Sequence, residues 1–105
     1  MNVDHYFLDW AITRVDGAGR RDVFHVRVWP PQYSETPFPA WRCAFTVEGH
    51  FERKTPVVGA TAVQALCLAM KVVREILRGI AKEATLTEVE SGQPLNEETL
   101  TDAIN

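Results

Sequence analysis

The strongest pattern in this chain lies between residues 62 and 82. There Leu66, Ala69, Met70, Val73, Ile76, Leu77 and Ile80 recur at three- and four-residue intervals, while Lys71, Arg74, Glu75 and Arg78 take the opposite side. Such spacing lines the apolar side chains along one stripe of an α-helix about six turns long, and that stripe has to be buried against something. Thr61 and Gln64 mark the helix start with the Thr-x-x-Gln pattern of a capping box, and Gly59 eases the turn before it. At 100° per residue, Leu68 and Val72 fall outside the central stripe and widen the apolar arc past half the circumference. One sheet does not cover so wide an arc. The surplus predicts a second neighbour, either the C-terminal segment folding back or another copy of the chain.

Upstream of the helix the period changes from helical to two-residue alternation. Tyr6, Leu8, Trp10 and Ile12 alternate with Phe7, Asp9 and Ala11, Phe24, Val26 and Val28 with Val23, His25, Arg27 and Trp29, and Trp41, Cys43, Phe45 and Val47 with Arg42, Ala44, Thr46 and Glu48. Each set reads as a half-buried strand whose first-named row faces the core. The segment Asp16-Gly17-Ala18-Gly19-Arg20 suits a hairpin turn. Pro30 to Pro39 carries four prolines and predicts the longest irregular loop. A fourth extended segment runs from about Arg53 to Val58, with Pro56 placing it at an edge or ending it.

After the helix, Thr85 to Glu90 predicts a fifth short strand, and Gly92-Gln93-Pro94 turns the chain. Asn96 then caps a short last helix, with Leu95 and Leu100 placed as a hydrophobic staple. The expected fold class is α+β: an antiparallel meander of four strands, or five with the last one, packed on one long amphipathic helix and followed by a short C-terminal helix or tail. The expected organisation is one domain over residues 1–90 and an acidic tail or short helix over 91–105.

The chain has 105 residues, 46% of them hydrophobic and 24% charged, which suits one folded core. No basic segment followed by an apolar run opens the sequence, no stretch approaches membrane-spanning length, and Cys43 and Cys67 lack any paired spacing, so a reducing cytoplasm is the expected setting. The net charge of −3 argues against a general nucleic-acid binder. All 11 Lys and Arg fall in residues 1–82, whereas residues 83–105 hold six acids and no base. An acidic tail of this kind suits a solvated segment, or a contact with a basic partner such as a toxin held inactive.

Chemistry-bearing patterns are sparse. The three histidines and two cysteines show no metal-ligand spacing, Gly17 and Gly19 do not continue into a dinucleotide fingerprint, and Ser34 and Ser91 lack a nucleophile elbow, so no metal or cofactor is expected. Cys67 falls on the polar arc of the helix near Lys71 and Arg74, which would favour its thiolate modestly. Phe7, His25, Arg27, Trp29 and Arg42 mix aromatics and bases on the outer sheet face.

The runs Trp41-Arg42-Cys43-Ala44-Phe45, Val47-Glu48-Gly49 and Gly59-Ala60-Thr61-Ala62-Val63-Gln64-Ala65-Leu66, followed by the long helix, resemble a family of small uncharacterised bacterial proteins, a domain of unknown function. The resemblance covers about residues 6–80. Thr61 stands where the family's helix cap is usually acidic and Ala44 where a proline usually follows the cysteine. The resemblance implies the fold and brings no activity with it.

Two functional expectations follow. The first is a non-enzymatic protein-interaction or self-associating module, with Leu68 and Val72 at the interface and a protein partner or a second copy as the occupant. The second is a small-molecule binder or enzyme using a pocket between the Pro-rich loop and the sheet, with Trp29, Tyr33, Trp41 and Cys67 as contacts.

Overall fold

The computed structural model describes residues 5–103. The residues read above for a leader, Met1 to Asp4, lie outside that range, as do the last two of the acidic segment. Strands β1 (Leu8–Asp16) and β2 (Arg21–Val28) form the first hairpin, β3 (Gln32–Ser34) follows the double proline, and β4 (Ala40–Val47) and β5 (Phe51–Gly59) form the second hairpin. Helix α1 (Ala62–Ala81) then leads to β6 (Ala84–Glu88), and α2 (Glu97–Ala103) ends the chain. All pairings are antiparallel, with β4 joined to β2, β3 and β5, and β1 joined to β2 and β6.

The predicted α+β architecture is the one observed, with two additions. The Pro-rich segment is not wholly irregular. Pro30 and Pro31 lack the N–H groups a ladder needs, but Gln32, Tyr33 and Ser34 regain them and pair with Arg42, Trp41 and Ala40. Strands β2 and β3 therefore run along the same edge of β4 as one strand interrupted by a bulge. Second, β6 does not extend the meander from β5. Helix α1 carries the chain across the inner face, and β6 joins the far edge beside β1, pairing Ile12 with Glu88 and Asp16 with Ala84. Strand β5 continues through Pro56, which has no N–H to give a ladder and is tolerated because β5 lies at the sheet edge.

Alternation holds through the core. Ile12, Val26, Val28, Cys43, Phe45 and Val47 are sealed on the inner face against Ala65, Ala69, Val73 and Leu77 of α1. These four helix residues are spaced by four, and three of the positions nearest the sheet are small enough for close approach. At the closest point β5 ends on Gly59, where a Cβ would lie 2.5 Å from the backbone nitrogen of Ala65. The α1 cap forms as predicted on one side, with Gln64 N–H donating to Thr61 Oγ1 at 3.0 Å. On the other side Gln64 Oε1 reaches Ala60 N–H at 2.6 Å, one residue before the cap.

Tyr6, predicted in the inner row, lies instead on the outer face, its ring 5.2 Å from Trp29 and beneath the Arg27 guanidinium. It precedes β1, so the alternation of that strand does not bind it. The C-terminal segment is part of the core: Leu95 and Leu100 are buried, and Leu95 N–H donates to Leu86 C=O at 2.8 Å. Asn96 and Thr99 cap α2 reciprocally through side chain and backbone.

Candidate functional site

Helix α1 has two flanks beside its buried stripe, and only one is covered. The C-terminal segment packs along the flank of Leu77 and Arg78, where Arg78 forms an ion pair with Glu97. The predicted folding back therefore occurs, on the side away from Leu68 and Val72. Those two remain 36% and 38% exposed. Together with Val57, Ile76, Lys71 and Glu75 they line a groove of about 490 Å³ between α1 and the edge strand β5.

The same flank continues into a second, larger cleft, since Glu75 and Ile76 border both. This cleft, about 830 Å³, lies between the end of α1 and the tip of the β1–β2 hairpin. Its sheet side is unusual for an inner row. Strand β1 runs Leu8, Trp10, Ile12, Arg14 on that face, so a guanidinium occupies a position that alternation assigns to an apolar side chain. Opposite it on β2 stands Asp22, and the two meet in a fork, Nε to Oδ1 at 3.1 Å and Nη2 to Oδ2 at 2.8 Å. Arg14 also sits 5.6 Å over the Phe24 ring and donates through Nη1 to His50 Nε2 at 3.2 Å. Because arginine has no acceptor, His50 must accept at Nε2, which places its proton on Nδ1.

This pairing shifts both partners in the stabilising direction. The hydrogen bond that Arg14 donates to Asp22 raises the Arg14 pKa above its ordinary value, and the same bond holds the Asp22 carboxyl below the usual range. Asp16, at the hairpin turn, is likewise lowered, first by the backbone N–H of Arg20. No signal in local sequence assembles this cluster. Residues 14, 22 and 50 come together only through register, and the helix wall of Ile76, Gly79 and Ile80, with Glu83 just beyond it, arrives from further still.

A domain-family model, described as a domain of unknown function (DUF6968), matches residues 11–95. This chain belongs to that family. In this DUF6968 chain the match runs from within β1 to Leu95, so it takes in most of the first hairpin, the second hairpin, α1, β6 and all the residues of the groove and the cleft. No curated protein and no solved structure matches.

The four residues predicted as ligand contacts are dispersed. Trp29 lies on the outer face, with Lys54 Nζ 4.3 Å from its ring centroid and its Nε1 buried without a partner. Tyr33 and Trp41 lie on the inner face, edge to face at 5.7 Å. Cys67 is exposed on the helix, and Cys43 is buried with its thiol donating to Trp29 C=O at 3.3 Å. Neither the groove nor the cleft includes any of the four.

On the outer face the bases are engaged. Asp9 accepts from His25 and Arg27, Glu48 accepts from Arg27 and from the His25 backbone, and Arg42 donates to the carbonyls of Ser34, Phe38 and Ala40. Among the described residues there is no group of three or more His, Cys, Asp or Glu that could hold a metal ion, and no helix is long and apolar enough to cross a membrane.

Proposed function

We propose that this protein is a non-enzymatic module that self-associates through the open flank of α1. The observation that carries the reading is the groove of Leu68, Val72, Ile76 and Val57, which the C-terminal segment leaves uncovered. The occupant that fits best is the same flank of a second copy. With two α1 helices antiparallel about a two-fold axis at Val72, Leu68 of one protomer faces Ile76 of its partner. Lys71 and Glu75 share the outer rim of this flank, and a two-fold axis brings each beside the other type across the interface. The offset along the axis is about 3 Å, within reach of both side chains. An isologous contact demands this kind of self-complementarity, an apolar centre with opposite charges on the rim. Two free thiols and no paired cysteine spacing favour a reducing, cytoplasmic setting for such a module.

Solution mass by light scattering across a concentration series tests the reading. A dimer is expected for the native chain and a monomer for Leu68→Glu and Val72→Glu. Lys71→Glu alone should weaken association, and Lys71→Glu with Glu75→Lys should restore it. A native chain that stays monomeric throughout the series, or a dimer indifferent to all four substitutions, removes the proposal.

A further inference from the structure

The cleft at the other end of the flank shares Glu75 and Ile76 with the groove but has a different composition, and its ligand is argued from Arg14, Glu83, Gly79 and Ile80, which the groove lacks. Its volume of about 830 Å³ lies in the range of small-molecule sites. Three features distinguish it from a gap at the end of a sheet.

The first is a preorganised donor. Arg14 is fixed by the Asp22 fork, by the Phe24 ring and by His50, and three of its five N–H groups are thereby used. Two remain, one on Nη1 and one on Nη2. The second is charge of opposite sign on the facing wall. Glu83, just past the end of α1, forms no ion pair among the described residues, whereas Glu75 on the helix is held by Arg74 and Arg78. Ile76 and Ile80 of the helix and the half-exposed Phe51 of β5 supply the apolar lining.

The third is Gly79. Glycine inside a helix is less favourable than alanine, so a helix glycine usually answers a close approach. A Cβ at Gly79 would meet nothing within 4 Å, so no packing within the chain demands its absence. What Gly79 does provide is a stretch of the cleft lining with no side chain standing in it.

From these features we infer that the cleft binds a small zwitterion with an apolar body, of the chemistry of an apolar α-amino acid or a short apolar peptide with free termini. The carboxylate lies on the two remaining N–H groups of Arg14, the ammonium on Glu83, and the apolar part over Ile76, Ile80 and Phe51. Arginine suits the carboxylate because its remaining N–H groups are charge-assisted donors in a fixed plane.

The test is a titration of the isotope-labelled chain, followed by amide chemical shifts, with L-phenylalanine and with the dipeptide leucyl-phenylalanine. Saturable shifts at Gly79, Ala84 and Arg14 are expected from at least one, and the tighter of the two identifies the source. Phenylpropionate and phenethylamine, each missing one charge, should bind at least about tenfold more weakly, the equivalent of losing a charge-assisted hydrogen bond. Glu83→Gln should weaken binding similarly. Gly79→Leu should abolish it while the thermal melt stays cooperative, since the new side chain enters open space. The inference is overturned if neither zwitterion gives saturable shifts, if phenylpropionate binds as tightly as phenylalanine, or if Gly79→Leu binds normally.

Discussion

Replacing Gly59 by alanine adds one methyl group at the tightest contact between strand and helix. The added carbon would sit 2.5 Å from Ala65 N, 2.8 Å from its Cα and 3.1 Å from its Cβ. Non-bonded heavy atoms settle at about 3.5–4.0 Å, so the first turn of α1 has to retreat from β5 by about 1 Å. That movement cannot be absorbed by a rotamer change, because the nearest atoms are backbone. It also carries Ala65 and Ala69, both fully buried, away from the sheet. Overpacking typically costs about 1–3 kcal/mol, and a backbone clash belongs at the upper end, so a loss of about 3 kcal/mol is expected. For a domain of this size that lowers Tm by about 10–20 °C. Urea unfolding followed by circular dichroism measures the loss directly. Adding Ala65→Gly should give little rescue, since it removes only the longest of the three contacts. Gly79→Ala is the internal control: the same methyl group enters open space and should stabilise by about 0.5–1 kcal/mol. The reasoning is refuted if Gly59→Ala lies within about 0.5 kcal/mol of the native chain, the range of an ordinary surface change.

Asp22 and Asp16 both have lowered pKa values in the folded chain, so their contribution is present above the ordinary value of 3.8 and is lost as pH falls through the lower folded value. The Tm difference between native and Asp22→Asn chains should therefore shrink below pH 3.8; a difference that persists in acid would contradict this. Exposed Cys67 should react with a thiol reagent under native conditions, while Cys43, whose thiol burial pushes up in pKa, should react only on unfolding. Equal rates at the two thiols would show that the inner face opens readily. Leu100 is fully buried, and Leu100→Ala should cost about 2–5 kcal/mol by chemical denaturation. A cost near zero would mean that the C-terminal segment does not complete the core.

Periodicity revealed much of this fold because burial here obeys it. The three alternating strands and the α1 stripe each have a single apolar side, and the end of α1 nearest the sheet is marked by its own cap. Strand β3 was hidden because three residues hold too little pattern to register amid four prolines. The role of Leu95 and Leu100 was visible only in part: their spacing gave the staple, but the acids around them suggested a solvated tail, and it is α1 that supplies the surface they need. The groove was legible through Leu68 and Val72, whose angle on the helix wheel requires no tertiary knowledge. The cleft was not. Arg14 looks like an ordinary polar residue next to a turn until the extension of β1 to Asp16 places it on the inner face, and Gly79 looks like a minor flaw in a helix until the space beside it is known.

The position of β6 has a consequence for how the chain acquires its structure. Both hairpins can close from neighbouring sequence, but the outer edge of β1 waits for residues 84–88, which pair with positions 12–16 across the whole intervening chain. During synthesis that edge is among the first segments made and the last to be paired. Closing so long a loop is slow relative to hairpin formation, so completion of the sheet is set by the arrival of α1 and the strand behind it. A nascent chain halted inside α1 would hold its hairpins with an open β1 edge, the form in which the protein is most exposed to strand addition by another chain.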